Sequence, residues 1–128
     1  MLIVMAGLPG SGKSTIARAL AERLGGVRLD KDHIRASIFQ PGTVDYTSAQ
    51  NDLCMEVVYE VAAYLLKQKP DRPVIIDGRP FSKKSQLERL RAFAAQAGLE
   101  WTLIECVCSD ETARARIETD RGTGRHPA

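Results

Sequence analysis

The chain's 128 residues are 44% apolar and 27% charged with a formal net charge of +2, which fits one globular domain with room for a single core. So even a charge balance speaks against nucleic acid as the main partner, and no apolar run approaches the roughly 20 residues of a membrane span. Met1 leads directly into an apolar run with no basic leader, which predicts a cytoplasmic protein. Cys54, Cys106 and Cys108 accordingly read as reduced thiols packed in a helix and a strand rather than as a metal set.

Residues 2–6, Leu-Ile-Val-Met-Ala, form a continuous apolar run of the kind a strand buried on both faces requires. The run feeds Gly7, Leu8, Pro9, Gly10, Ser11, Gly12, Lys13, Ser14 and Thr15, where Gly7, Gly12, Lys13 and Ser14 satisfy the pattern G-x-x-x-x-G-K-S/T. Such a loop turns its backbone N–H groups inward, its lysine reaches the β and γ phosphates, and its serine hydroxyl ligates Mg²⁺. Ile16, Leu20 and Leu24 predict a helix over 13–24 that Gly25-Gly26 stops, and its N-terminal dipole adds to the cradle. ATP and Mg²⁺ are therefore the expected cofactors, held by residues 7–15.

Val27 to Leu29 predicts a short second strand, followed by a helix that starts within Asp30-Lys31-Asp32-His33-Ile34-Arg35, ends near Phe39 and is broken by Pro41-Gly42. Asp32 and Arg35 are three apart and share a face. The pair offers a carboxylate to take a proton and a guanidinium to grip an acceptor. A helix cap with a surface ion pair has the same spacing, and the phosphate loop upstream tips the reading toward chemistry. Helical spacing directs Lys31 and His33 elsewhere, to the rim at most.

A long helix is expected over 48–67, then a turn and a buried strand over 74–78 whose Asp77 is placed to hold Mg²⁺ directly or through water. Tyr46 in the loop over 40–46, with Arg79 and Phe81 in the turn Gly78-Arg79-Pro80-Phe81, predicts an acceptor pocket suited to a ring and a negative charge. A helix over 83–97 closed by Gly98, a strand over 101–107, and a last helix capped by Ser109 with Asp110 and Glu111 in its first turn complete the chain. Strands alternating with helices imply a mostly parallel sheet in a three-layer α/β domain spanning 1–128.

The segments GLPGSGKST, LDKDHIR, VIIDGR and ARARIETDRGTGRHPA together resemble the small P-loop kinases of the AAA_33 or zeta-toxin-like class, related to chloramphenicol phosphotransferase and to the kinase domains of polynucleotide kinases. The resemblance covers nearly the whole chain. It implies a P-loop NTPase fold of the nucleoside- and shikimate-kinase kind, lacking the last strand and helix because the chain stops at Ala128 within the lid's exit. It also implies Asp30 as a magnesium helper beside Ser14 and Asp77, Asp32 as the base, and a lid over about 116–128. In that lid Arg116 would meet the adenine or its phosphates, and Arg121 and Arg125 would close on the transferring group; five residues separate Arg116 from Arg121 where the family has four.

The expected activity is ATP-dependent transfer of the γ-phosphate to a hydroxyl of a small-molecule or nucleotide-like acceptor bound by Asp32, Arg35, Tyr46 and Arg79. The alternatives are a regulatory NTPase without an acceptor and a toxin-like kinase of nucleotide sugars. The missing N-K-x-D motif argues against a GTPase switch.

Overall fold

The computed structural model describes residues 1–8, 10–108 and 113–120, with side chains over 1–8 and 10–107. Strand β1 (Leu2–Ala6) is buried at every position because it has a strand on each side and helices on both faces. The chain then forms α1 (Lys13–Leu24), β2 (Val27–Asp30), α2 (Lys31–Ile38), a 3-10 turn (Pro41–Thr43), α3 (Ser48–Gln68), β3 (Val74–Asp77), α4 (Lys84–Ala97), β4 (Trp101–Cys108) and β5 (Ala113–Asp120). The five strands lie in the order β2-β3-β1-β4-β5, the first four parallel and β5 antiparallel to β4.

Side-chain alternation along the central strands builds three layers. Leu2, Val4, Val74, Ile76 and Leu103 face α3 and α4, where they meet Val58, Tyr59, Ala62, Leu90 and Phe93. Ile3, Met5, Ile75 and Cys106 face α1 and pack on Ala17, Ile16 and Leu20. The central strand β1 therefore reads as apolar throughout, and both helical layers are held by one sheet. Cys54 and Cys106 are buried free thiols, and burial raises the Cys106 pKa above its ordinary value.

Two expectations change at the turns. Phe81 does not face an acceptor: it is buried in the larger core beneath α3 and α4, with its backbone at φ 56°. The other correction concerns the last element, where residues 113–120 form a strand in place of the helix expected after Ser109. Ala113, Ala115, Ile117 and Thr119 alternate with Arg114, Arg116, Glu118 and Asp120, a period of two that suits an edge strand paired with β4. The capping signal at Ser109 outweighed that alternation.

Candidate functional site

The phosphate loop joins the end of β1 to α1, so its backbone is fixed by the central strand. Gly7 adopts φ 130°, and a Cβ there would lie 2.5 Å from the Cys106 carbonyl oxygen; only glycine lets β4 pack this close to the loop. Gly12 caps α1 in the left-handed conformation at φ 83°, with no side chain bonded to the helix's first N–H groups and no acidic residue in its first turn. Those donors and the helix dipole are left for an anion. Lys13 is largely buried, and its Nζ donates to the Gly7 carbonyl at 3.2 Å, which curls the lysine back over the loop.

One cavity of about 600 Å³ joins this loop to α2. Gly10, Gly12, Lys13, Ser14 and Thr15 line one side; Lys31, Asp32, Arg35, Tyr46 and Asn51 line the other, with Leu8, Gly78 and Pro80 completing it. Gly7 and Ser11 belong to the loop without lining the cavity, and the buried Ser11 hydroxyl has no partner among the described residues. Pro9 lies outside the described residues.

On the α2 side, Asp30 is the N-cap: its Oδ1 accepts from the Asp32 N–H at 2.9 Å while Arg28 donates to Oδ2 at 3.3 Å. Both oxygens are thereby committed, and Asp30 does not line the cavity. Asp32 and Arg35 meet as their spacing predicts, with Arg35 Nη1 donating to Asp32 Oδ1 at 3.0 Å. Asp32 is 62% exposed, whereas Arg35 is buried to 3% and its guanidinium lies 4.8 Å from the Tyr46 ring centre. Tyr46 is held by a braced loop in which Asp45 accepts from Thr47, and Gln50 bonds both Asp45 and the Thr43 carbonyl. His33 is exposed.

Asp77 ends β3 opposite Asp30 and is fully buried; Oδ1 accepts from the Gly78 N–H at 2.8 Å, and Oδ2 has no partner among the described residues. Magnesium prefers hard oxygen donors and keeps several waters, so the Ser14 hydroxyl in the cavity fits that ion, while the buried Asp77 carboxylate ends β3 without lining the cavity. Among the described residues no cluster of three or more His, Cys, Asp or Glu could hold a metal.

Two expected contacts are not assembled among the described residues. Arg79 is buried against Asp52 of α3, to which it donates, in a separate cavity with Glu56 and Arg89, so it does not reach the phosphate cavity. The backbone of Arg116, on β5, pairs with Glu105 of β4 rather than ending a helix. Arg121 and Arg125 lie outside the described residues. Conversely, Lys31 and Asn51 line the cavity although spacing on α2 pointed Lys31 away and nothing in the sequence marked Asn51.

A parallel sheet whose central strand feeds a phosphate loop and an α-helix, with both helical layers in place, is the P-loop NTPase fold. The chain belongs to the AAA_33 family, described as an AAA domain, which matches residues 2–128. It is similar to the adenylate kinase of Campylobacter lari, 31% identical over 124 residues that make up 91% of this chain and 65% of that protein. The chain thus spans a little under two thirds of the length of the curated relatives it matches. Among solved structures, a "putative kinase" from Chloroflexus aurantiacus superposes with a TM-score of 0.70 at 27% identity, covering 84% of this chain and 58% of its own. A chain of the Pnkp1/Rnl/Hen1 complex gives 0.65 at 25% identity over 81% of this chain and 34% of that one. No helix among the described residues is long and apolar enough to cross a membrane.

Proposed function

We propose that this domain transfers the γ-phosphate of MgATP to a hydroxyl of a small-molecule or nucleotide-like acceptor. The observation that carries the reading is the single cavity with the phosphate loop on one wall and the Asp32–Arg35 pair on the other. Lys13, the free N–H groups of α1 and Ser14 suit the donor phosphates. When bound, Mg²⁺ would be held by Ser14 and would neutralise charge on the β and γ phosphates. Asp32 is placed to take the proton of an attacking hydroxyl, and Arg35 to hold the acceptor. Kinase relatives support phosphoryl transfer in general.

A phosphate acceptor is the second reading, favoured by the similarity to an adenylate kinase. A phosphate oxygen needs no base to attack, so it leaves Asp32 without a catalytic task. The test is ATP-dependent phosphate incorporation across nucleosides, sugars, antibiotics and nucleoside monophosphates, with Lys13→Ala as control. Incorporation into a hydroxyl compound, lost in the control, supports the first reading; product formed only as nucleoside diphosphate supports the second.

A further inference from the structure

Arg79 lies in the turn between β3 and α4, and its two neighbours belong to the phosphate cavity while its own side chain does not. Gly78 and Pro80 line that cavity, whereas Arg79 turns to α3 and donates to Asp52 Oδ1. The guanidinium is buried, and its partner carboxylate is 64% exposed. A buried arginine is costly unless it is paired, and well-packed apolar residues of similar volume often stabilise as much. Its placement is explained instead by what it holds.

The backbone on either side shows what that is. The Pro80 carbonyl accepts from the Gly7 N–H at 3.0 Å, so the first amide of the phosphate loop is tied to this turn. Phe81, the next residue, holds φ 56° with its ring buried in the larger core, a left-handed backbone that a residue other than glycine keeps only where its surroundings enforce it. Arg79 ties the same turn to the start of α3, where the adjacent Asn51 accepts from Lys31 at 3.1 Å and from Arg35. Asn51 and Asp52 thus brace α2 and the β3–α4 turn from one helix. We propose that Arg79 is a positioning residue for nucleotide binding: paired with Asp52, it fixes the Pro80 carbonyl that holds the Gly7 amide, and so sets the phosphate loop before nucleotide arrives. A loop already held in its binding shape loses less freedom when the ligand binds. The inference rests on nucleotide binding at the phosphate loop and is the same for a hydroxyl or a phosphate acceptor.

Amide hydrogen exchange, and calorimetric titration with Mg²⁺ and the non-hydrolysable analogue AMPPNP, test this on the whole chain with Arg79→Met and Asp52→Ala. In each variant the Gly7 amide, read without nucleotide, should exchange about tenfold faster than in wild type, measured against the Val4 amide of β1 as the reference for global opening. AMPPNP should bind each variant about tenfold more weakly. The double variant should be no worse than Arg79→Met alone, since the two groups act as one pair. Asp52 is exposed, so Asp52→Ala carries the comparison if Arg79→Met does not fold. Folded variants that lower the melting temperature but keep wild-type Gly7 exchange or wild-type AMPPNP affinity would reduce the pair to a stabilising contact and overturn the proposal; so would losses that add in the double variant. Wild-type protein that does not bind AMPPNP contradicts the phosphotransferase reading instead, and the Gly7 exchange still decides whether Arg79 holds the loop.

Discussion

Lys13 is a buried ammonium held at 3.2 Å by a carbonyl of its own loop, so its charge is in position before any nucleotide arrives. Preorganised charge of this kind acts on the transition state without reorganisation cost. Lys13→Ala should lower phosphoryl transfer by about a hundredfold or more. Without nucleotide, its thermal melt should stay close to wild type, and it should rise less on adding MgATP, because a ligand stabilises in proportion to its occupancy. Unchanged turnover would remove Lys13 from the site. Lys13 and the Asp32–Arg35 pair were legible because the loop motif and the i, i+3 spacing are local. Asn51 was not, since it reaches Lys31 and Arg35 only through the packing of α2 on α3. Lys31 was misread because helical spacing fixes where a Cβ points, while a four-carbon stem at the first turn can bend back into the cavity.

At the scale of elements, the junction of β3 with the start of α2 sets the cavity wall opposite the phosphate loop. Gly78 adopts φ 106°, and a Cβ there would lie 2.9 Å from both the backbone nitrogen and Cβ of Lys31. Gly78→Ala should therefore destabilise the fold by about 2 kcal/mol or more, read by denaturant melts, because strain and clash add. A melt like wild type's would show that α2 can shift away at little cost. The contact between α3 and α4 gives a pH signature. Arg89 donates to Glu56 at 2.8 and 2.6 Å and holds that carboxyl below its ordinary value of 4.5. A depressed carboxylate contributes stability that is fully present above its unfolded pKa and fades as pH falls through the folded value. Arg89→Gln should accordingly be less stable than wild type at neutral pH, by a small and salt-sensitive margin since both groups are well exposed, and the deficit should close in acid. A deficit constant across that range would exclude the ion pair as its cause. Most element bounds were legible from apolar runs and glycine stops. The last was not, because the cap at Ser109 predicted a helix, whereas residues 113–120 pair as a strand with β4.

For the molecule as a whole, function follows from where parallel strands end. β1, β2 and β3 deliver the phosphate loop, the start of α2 and the Asp77–Gly78 turn to one edge of the sheet, where α/β folds bind ligands. The phosphate loop and the Asp32–Arg35 pair, separated in sequence, thereby share one cavity. That architecture was legible in the sequence because apolar runs at β1 and β3 alternate with helical periodicity; Arg79 was not, because only the packed structure shows Asp52 of α3 beside it. The central claim is that the cavity positions an acceptor hydroxyl, with Asp32 as its base. It is tested most directly by measuring MgATP affinity and phosphate transfer side by side for wild type and Asp32→Asn, with the acceptor found by the incorporation screen. The amide keeps the side chain's shape, so ATP affinity should stay within about threefold while transfer falls by about a hundredfold or more. Transfer by Asp32→Asn at the wild-type rate would contradict the account.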